Sequence, residues 1–236
     1  MFLNIILIIA TLIALIFCGI WAYESYEKYK LEKDSNDIIE DFDAQFDDIT
    51  VDLDQNIEQT NETGDNKEQQ EEGGTQSSVK KTNSKSRKNT RTSSNSPTRK
   101  SGKKIYKGYV MDGYIQIPRT KVKLPILEAV SAKALNYGIG ILLTPGLNQP
   151  GNTVLLGHNY RNGTLFSRNS KIQLGDAIYI TDEYGNKVEY IVYNTYVTSP
   201  DDGEYMTRDT AGGTEISLST CTDDGSQRLI IWAKVE

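Results

Sequence analysis

A mainly β domain, a closed barrel or a sandwich carried behind an apolar membrane helix and a charged spacer, is the fold class this sequence predicts. Three observations predict it. From Ile105 onward, short runs of β-forming residues alternate with turn signals; Phe2 to Tyr23 is apolar and uncharged; between the two, Phe42 and Phe46 are the only aromatic residues from Asp34 to Lys104.

The apolar stretch comes first in the chain. Phe2 to Tyr23 is broken only by the polar residues Asn4 and Thr11, which gives about the 20 residues a bilayer span needs. A cleavable signal peptide would show a basic start and a small-residue cleavage site; here Trp21-Ala22-Tyr23 stands at the end, and Trp21 and Tyr23 suit a membrane interface. Residues 1–23 are therefore expected to be a retained transmembrane anchor. Lys28, Lys30 and Lys33 follow the span with nothing basic before it but the amino terminus, so charge bias alone favours a cytoplasmic C-terminal domain.

Residues 24–54 read as a juxtamembrane stretch, partly helical, whose apolar periodicity fades. Residues 55–104 follow as a charged linker with too little apolar surface to offset the entropy of ordering. The net charge of -6 hides an internal split. Residues 34–72 carry 15 Asp or Glu against Lys67 alone, and residues 73–104 carry 10 Lys or Arg and no acid. Solvated spacer is the plain reading of such blocks. The folded part, 105–236, is near neutral with 12 basic and 14 acidic residues, so no nucleic-acid partner is expected.

Within 105–236 the strand-like runs are IYKGYVMDGYIQIP, VKLPILEA, NTVLLGHN, DAIYITDEYGNKVEYIVYNTYVTSP, TEISLSTCT and LIIWAKVE, about seven or eight strands. Tyr184-Gly185-Asn186 marks a hairpin, and Pro118 and Pro125 are expected at strand ends. Ala132 to Tyr137 and Thr164 to Ser170 read as short helices.

Cys/His chemistry in this domain must use His158 and Cys221, since the chain holds one histidine and its other cysteine, Cys18, lies in the apolar span. Both residues end apolar runs, where strands deliver side chains to a sheet edge. Arg228 follows Cys221 across the turn TDDGSQ, at hairpin spacing. A thiolate is a competent nucleophile, a nearby cation favours it, and a guanidinium can hold an oxyanion. Taken singly, each residue also has an ordinary structural explanation: a buried small hydrophobe, a satisfied histidine, a solvated arginine. One histidine and one thiol fall short of a zinc set, and Asp201, Asp202 and Glu204 lack the spacing of a calcium loop.

The run SLSTCT followed by Arg228 resembles the signature of the sortase family, usually Thr-Leu-x-Thr-Cys with an arginine on the next strand. LLGHN resembles that family's histidine strand, and TPGLNQPGNTVLLGH with NGTLF extends the similarity over Tyr114 to Val235. Ser217 replaces the usual Thr and keeps a hydroxyl. The resemblance implies an eight-stranded sortase-type β-barrel with short helices, outside the membrane of a Gram-positive bacterium, an expectation that overrides the lysine flank. It further implies Cys221 as nucleophile, His158 as acid/base and Arg228 as the oxyanion and substrate group, with Leu218 and Thr220 lining the substrate groove. The implied substrate is a protein with an LPxTG-like sorting signal, and the implied acceptor is an amine of a peptidoglycan precursor or a pilin. No cofactor is required by this chemistry, and calcium activation is not decided by the residues. The motif wording leans toward class B, yet Thr195 to Thr214 is short for that class's extra helix, so the subclass stays open. An L,D-transpeptidase would carry a second histidine near the nucleophile, papain-like enzymes run Cys before His, and a non-catalytic adhesin leaves the intact triad unexplained.

Overall fold

The computed structural model describes residues 2–58 and 101–236. From 59 to 100 the expected linker lies outside the described residues. A single helix, α1 (Phe2–Glu58), is followed by nine strands: β1 (Lys104–Tyr106), β2 (Tyr109–Ile117), β3 (Val122–Leu127), β4 (Ile139–Leu143), β5 (Gly151–Leu156), β6 (Ala177–Asp182), β7 (Lys187–Thr198), β8 (Thr214–Cys221) and β9 (Arg228–Lys234). A one-turn helix, α2 (Glu204–Thr207), interrupts the path from β7 to β8.

Strands β2 to β9 close on themselves in the order β2-β3-β4-β5-β8-β9-β7-β6, with β6 pairing back onto β2, and β1 forms a hairpin on the outside. Two neighbouring pairs, β3 with β4 and β5 with β8, are parallel; the others are antiparallel. Alternation fills the interior: Ile115 and Ile117, Ile178 and Ile180, Tyr190 and Val192, Ile216 and Leu218, and Ile231 and Ala233 all point into one core. The eight-stranded barrel expected from the resemblance is what forms.

Two elements differ from the sequence reading. Residues Ile139–Leu143 form β4, which the run IGILL did not announce as a strand. Pro125 sits inside β3 rather than at its end, opposite Tyr114 of β2. Its missing N–H costs nothing on the other side, because β4 joins β3 only from Ile126 onward, so Pro125 occupies an edge position. The helical readings shrink to single turns at Ala134–Asn136 and Asn169–Lys171. The Tyr184-Gly185-Asn186 hairpin forms as read, with Gly185 at φ 77 and the Asp182 carboxylate accepting from the Tyr184 and Asn186 N–H groups.

Helix α1 does two things along its length. Its first part is exposed and apolar, with Leu7, Phe17 and Trp21 all facing outward, and it is long and apolar enough to cross a membrane. Farther on it lies against the barrel. Ser35, Ile39 and Phe42 are fully buried, and Leu31 and Phe46 are partly buried, a seam at helical spacing. Phe42 meets the Tyr114 ring edge-on at 6.0 Å, Lys107 pairs with Asp34 at 2.6 Å, Lys104 pairs with Asp41, and the Gln45 amide donates to the Gly102 carbonyl at 3.0 Å. Helix and barrel should therefore unfold as one unit. Phe42→Ala is expected to lower the unfolding free energy of the full chain in detergent micelles by ~3 kcal/mol. A shift in urea midpoint reads this out, and an unchanged midpoint would show that α1 is not part of the cooperative unit.

Candidate active site

Three neighbouring strand ends build the site. The parallel register of β5 and β8 sets Leu156 opposite Ser219, and the ladder runs on past β5, with Gly157 N–H donating to the Ser219 carbonyl at 3.2 Å. His158 is the next residue, just past the end of β5, as Cys221 is the last residue of β8. On the other side of β8, Cys221 is the direct antiparallel partner of Arg228, and Arg228 in turn faces Thr198 of β7. Neighbouring strands lie about 4.8 Å apart. Cys221 and Arg228 thus close one row at the ends of β8 and β9, with His158 two residues past the end of neighbouring β5, and all three are half-buried.

Strand parity sets the face they use. Leu218 is fully buried in the barrel core, whereas Val154 and Ile230 belong to a separate cluster outside it, with Leu156, Tyr196, Met206 and Trp232 packed around them. Cys221 is three residues from Leu218, on the face that Ser217 and Ser219 share, and Arg228 has the parity of Ile230 and Trp232. The row therefore opens on the outer face, at the end of an apolar floor. One step back along the strands, Leu156, Ser219, Ile230 and Tyr196 make a parallel row.

Leu218 and Thr220, named as groove residues from motif position, have the opposite parity. Leu218 is sealed in the interior and touches nothing outside. Thr220 is buried too, and its hydroxyl donates to the Gly157 carbonyl at 2.7 Å, so it holds the residue before His158. Ser217, the departure from the usual Thr, is fully buried and donates to Asn152 Oδ1 at 2.9 Å.

Other residues around the row were not singled out from sequence. Asn159 donates through its amide to the Cys221 carbonyl at 3.0 Å and to Asp223 Oδ1 at 2.9 Å, tying the histidine segment to the cysteine turn. Tyr160 lays its ring over the His158 imidazole, centroids 4.8 Å apart and 31° between planes, and its hydroxyl bonds to Asn136 Oδ1. The GHN run carried the signal for Asn159; nothing local marked Tyr160. Phe166, fully buried, sits under Gly157, where any Cβ would come within 2.5 Å of its ring, and its N–H donates to the His158 carbonyl at 3.1 Å. That backbone must be glycine for the loop to lie so close.

The Cys221–Arg228 turn is self-braced. Asp224 accepts from the hydroxyls of Thr222 at 2.6 Å and Ser226 at 2.7 Å, which hold its carboxyl down at about 2, and Gly225 takes φ 76. Arg228 keeps only a 3.3 Å contact with the Gln227 carbonyl, and no carboxylate pairs with it among the described residues. Arg208, by contrast, is fastened to Glu215 and lies 4.6 Å from the Trp232 ring, pinning the α2 segment over the apolar floor. No group of three or more metal-ligating side chains occurs among the described residues.

The comparisons with known proteins fit this geometry. The sortase domain family matches residues 115–236, over half of the chain, and the protein belongs to the sortase family. Sortase A of Streptococcus agalactiae is 29% identical over 132 residues, covering 52% of this chain and 52% of that one. Sortase D of Bacillus subtilis is 28% identical over 128 residues, covering 52% of this chain and 62% of its own. The chain thus spans about half the length of the curated relatives it matches. Among solved structures, sortase A from Corynebacterium diphtheriae aligns at a TM-score of 0.49 with 30% identity, over 54% of this chain and 62% of that one. A Clostridium perfringens sortase D5 transpeptidase aligns at 0.49 with 27% identity, over 58% and 81%.

The Thr220 hydroxyl gives a direct test of how the histidine is held. Thr220→Val keeps the shape but removes the donor to Gly157, and should cost ~1 kcal/mol of stability. Because the chain has one histidine, its imidazole resonances can be followed without assignment. They should shift in the variant; unmoved resonances would show that this bond does not position His158.

Proposed function

We propose that this protein is a sortase transpeptidase that cleaves an LPxTG-like sorting signal through a thioester on Cys221 and passes the acyl group to an amine. The observation that carries the reading is the pairing of Cys221 with Arg228 at the ends of β8 and β9, beside the neighbouring β5 whose end leads directly into His158. Cys221 Sγ, as thiolate, attacks the carbonyl carbon of the Thr-Gly bond. The oxyanion that forms is met by the fixed positive charge of Arg228. As the tetrahedral intermediate collapses, the C–N bond breaks, His158 gives its proton to the leaving amine, and the thioester remains. An incoming amine then attacks the thioester, His158 takes the proton this amine releases, and the new amide leaves with the thiolate restored.

The half-buried Leu156 and Tyr196, with Ile230 buried between them, offer apolar contact for the leucine and proline side of the signal. Residues 105–236 act as the catalytic domain, 1–23 as the membrane anchor, 24–54 as a juxtamembrane segment and 55–104 as a linker. The domain works outside the cell membrane, where sorting-signal proteins and peptidoglycan or pilin amines meet. A cell-wall L,D-transpeptidase is disfavoured by the single histidine.

Full-length protein in detergent should cleave a fluorogenic LPxTG-type peptide, faster with an added amine, and a thioester adduct on Cys221 should be trapped by mass spectrometry. Cys221→Ala should abolish both signals. His158→Ala should lower turnover about 10²- to 10⁴-fold, and Arg228→Ala about 10²- to 10³-fold with the thiol still alkylated by iodoacetamide. Absence of cleavage across a library of sorting-type peptides would refute the assignment.

A further inference from the structure

The helix that leaves the membrane reaches the catalytic domain before the chain enters its linker. Trp21 and Tyr23 mark the interface end of the apolar stretch, and α1 continues without a break. At 1.5 Å per residue, Leu31, which packs against the barrel core, lies only about 12 Å along the helix from Tyr23. The buried seam then runs through Ser35, Ile39 and Phe42 to Phe46.

Which part of the barrel meets the near end of this seam is decided by its neighbours. A cavity of about 530 Å³ is walled by Glu27, Lys28 and Leu31 of α1 and by Tyr160, Asn162 and Thr164 of the loop after His158. A second, of about 260 Å³, again sets Lys28 and Leu31 beside Asn162, Gly163 and Thr164. The far end of the seam meets other parts: Gln45 bonds to Gly102, and Phe46 lies against Gly185 in the β6–β7 hairpin. The first turns of helix outside the apolar span thus face, across these two cavities, the loop whose Tyr160 stacks on His158.

We infer that α1 is a rigid strut that holds the His158 end of the barrel next to the bilayer, so that the site acts on polypeptides whose scissile bond lies close to the membrane surface. The reach of the enzyme is then set by the helix between Tyr23 and Leu31, and the linker after Glu58 does not lengthen it. The selection of substrates by reach rests on the transpeptidase reading; the placement of the domain does not.

Two measurements on the full chain in liposomes test this. In a Cys18→Ser, Cys221→Ser background, a donor dye is placed through Arg161→Cys or Lys187→Cys, with acceptor dyes on the lipid headgroups. Transfer should be stronger from position 161, beside the histidine loop, than from 187, beside the β6–β7 hairpin. Inserting seven helix-forming residues after Tyr26 adds two turns, keeps the docking face nearly in phase and raises the domain by about 10 Å, so transfer should fall at both positions. Equal transfer from the two labels, or no change on insertion, would show a freely swinging domain and overturn the strut. With the native cysteines retained, the insertion should move the preferred distance between sorting motif and anchor outward for bilayer-anchored substrates, and leave the rate on a free peptide unchanged. An unmoved preference overturns selection by reach. A chain that cleaves no sorting-type peptide would sink the functional reading instead, while the dye distances would still decide the strut.

Discussion

The parallel pairing of β5 with β8 is the constraint on which the rest depends. Parallel neighbours cannot be joined by a tight turn, so the chain between Leu156 and Thr214 must leave the pair and come back. It uses that path to lay down β6 and β7, which close the barrel against β2 and β9. The same pairing sets which segment leaves the sheet beside Cys221. With Leu156 opposite Ser219, β5 ends two residues before His158 and β8 ends at Cys221; a slip of one residue would turn the thiol into the core and bring Thr220 out in its place. The buried polar contacts lock the correct register, since the Thr220 hydroxyl reaches the Gly157 carbonyl, and Ser217 reaches Asn152, only in that alignment.

Charge around the row is distributed to match. Arg119 is clamped by Asp176 through two hydrogen bonds and Arg208 by Glu215, so their guanidinium groups are neutralised within the fold. Arg228 stands beside the thiol with its charge uncompensated by any carboxylate among the described residues. Of the two acids in the same turn, Asp224 is committed to the hydroxyls of Thr222 and Ser226 and Asp223 to the Asn159 amide. A cation left free at the end of a β-ladder is available to an anionic group on that face.

Strand content and the hairpin at Gly185 were legible because each rests on a local pattern, alternation or turn chemistry; scarcity of Cys and His is what singled out His158 and Cys221 as candidates. Other features depend on partners far away in sequence. IGILL reads as strand or buried turn with equal ease, and only its pairing to Ile126 and Leu155 makes it β4. Pro125 looks like a strand terminator until the late arrival of β4 leaves its edge open. Leu218 and Thr220 sit in the right motif, yet parity turns them inward, and Leu156, Tyr196 and Ile230 from three other strands take the outer face. Phe42 and Phe46 stood out as the only aromatics in an acidic tract, and they are members of the seam that docks α1, hidden among carboxylates because three of these, Asp34, Asp41 and Asp43, face Lys107, Lys104 and the Tyr114 hydroxyl.

That seam changes what the tract beyond it is for. A spacer lifts a domain only if the domain is free of everything before the spacer, and here the barrel is held from Leu31 to Phe46, upstream of it. The chain returns at Ser101, and Gln45 already touches Gly102. The segment between therefore joins two points on one folded body. The helix seam is intolerant: displacing Ile39 or Phe42 by one residue rotates it about 100° away from the barrel. The physical constraint on domain placement lies in the sixteen residues of the docked helix, Leu31 to Phe46.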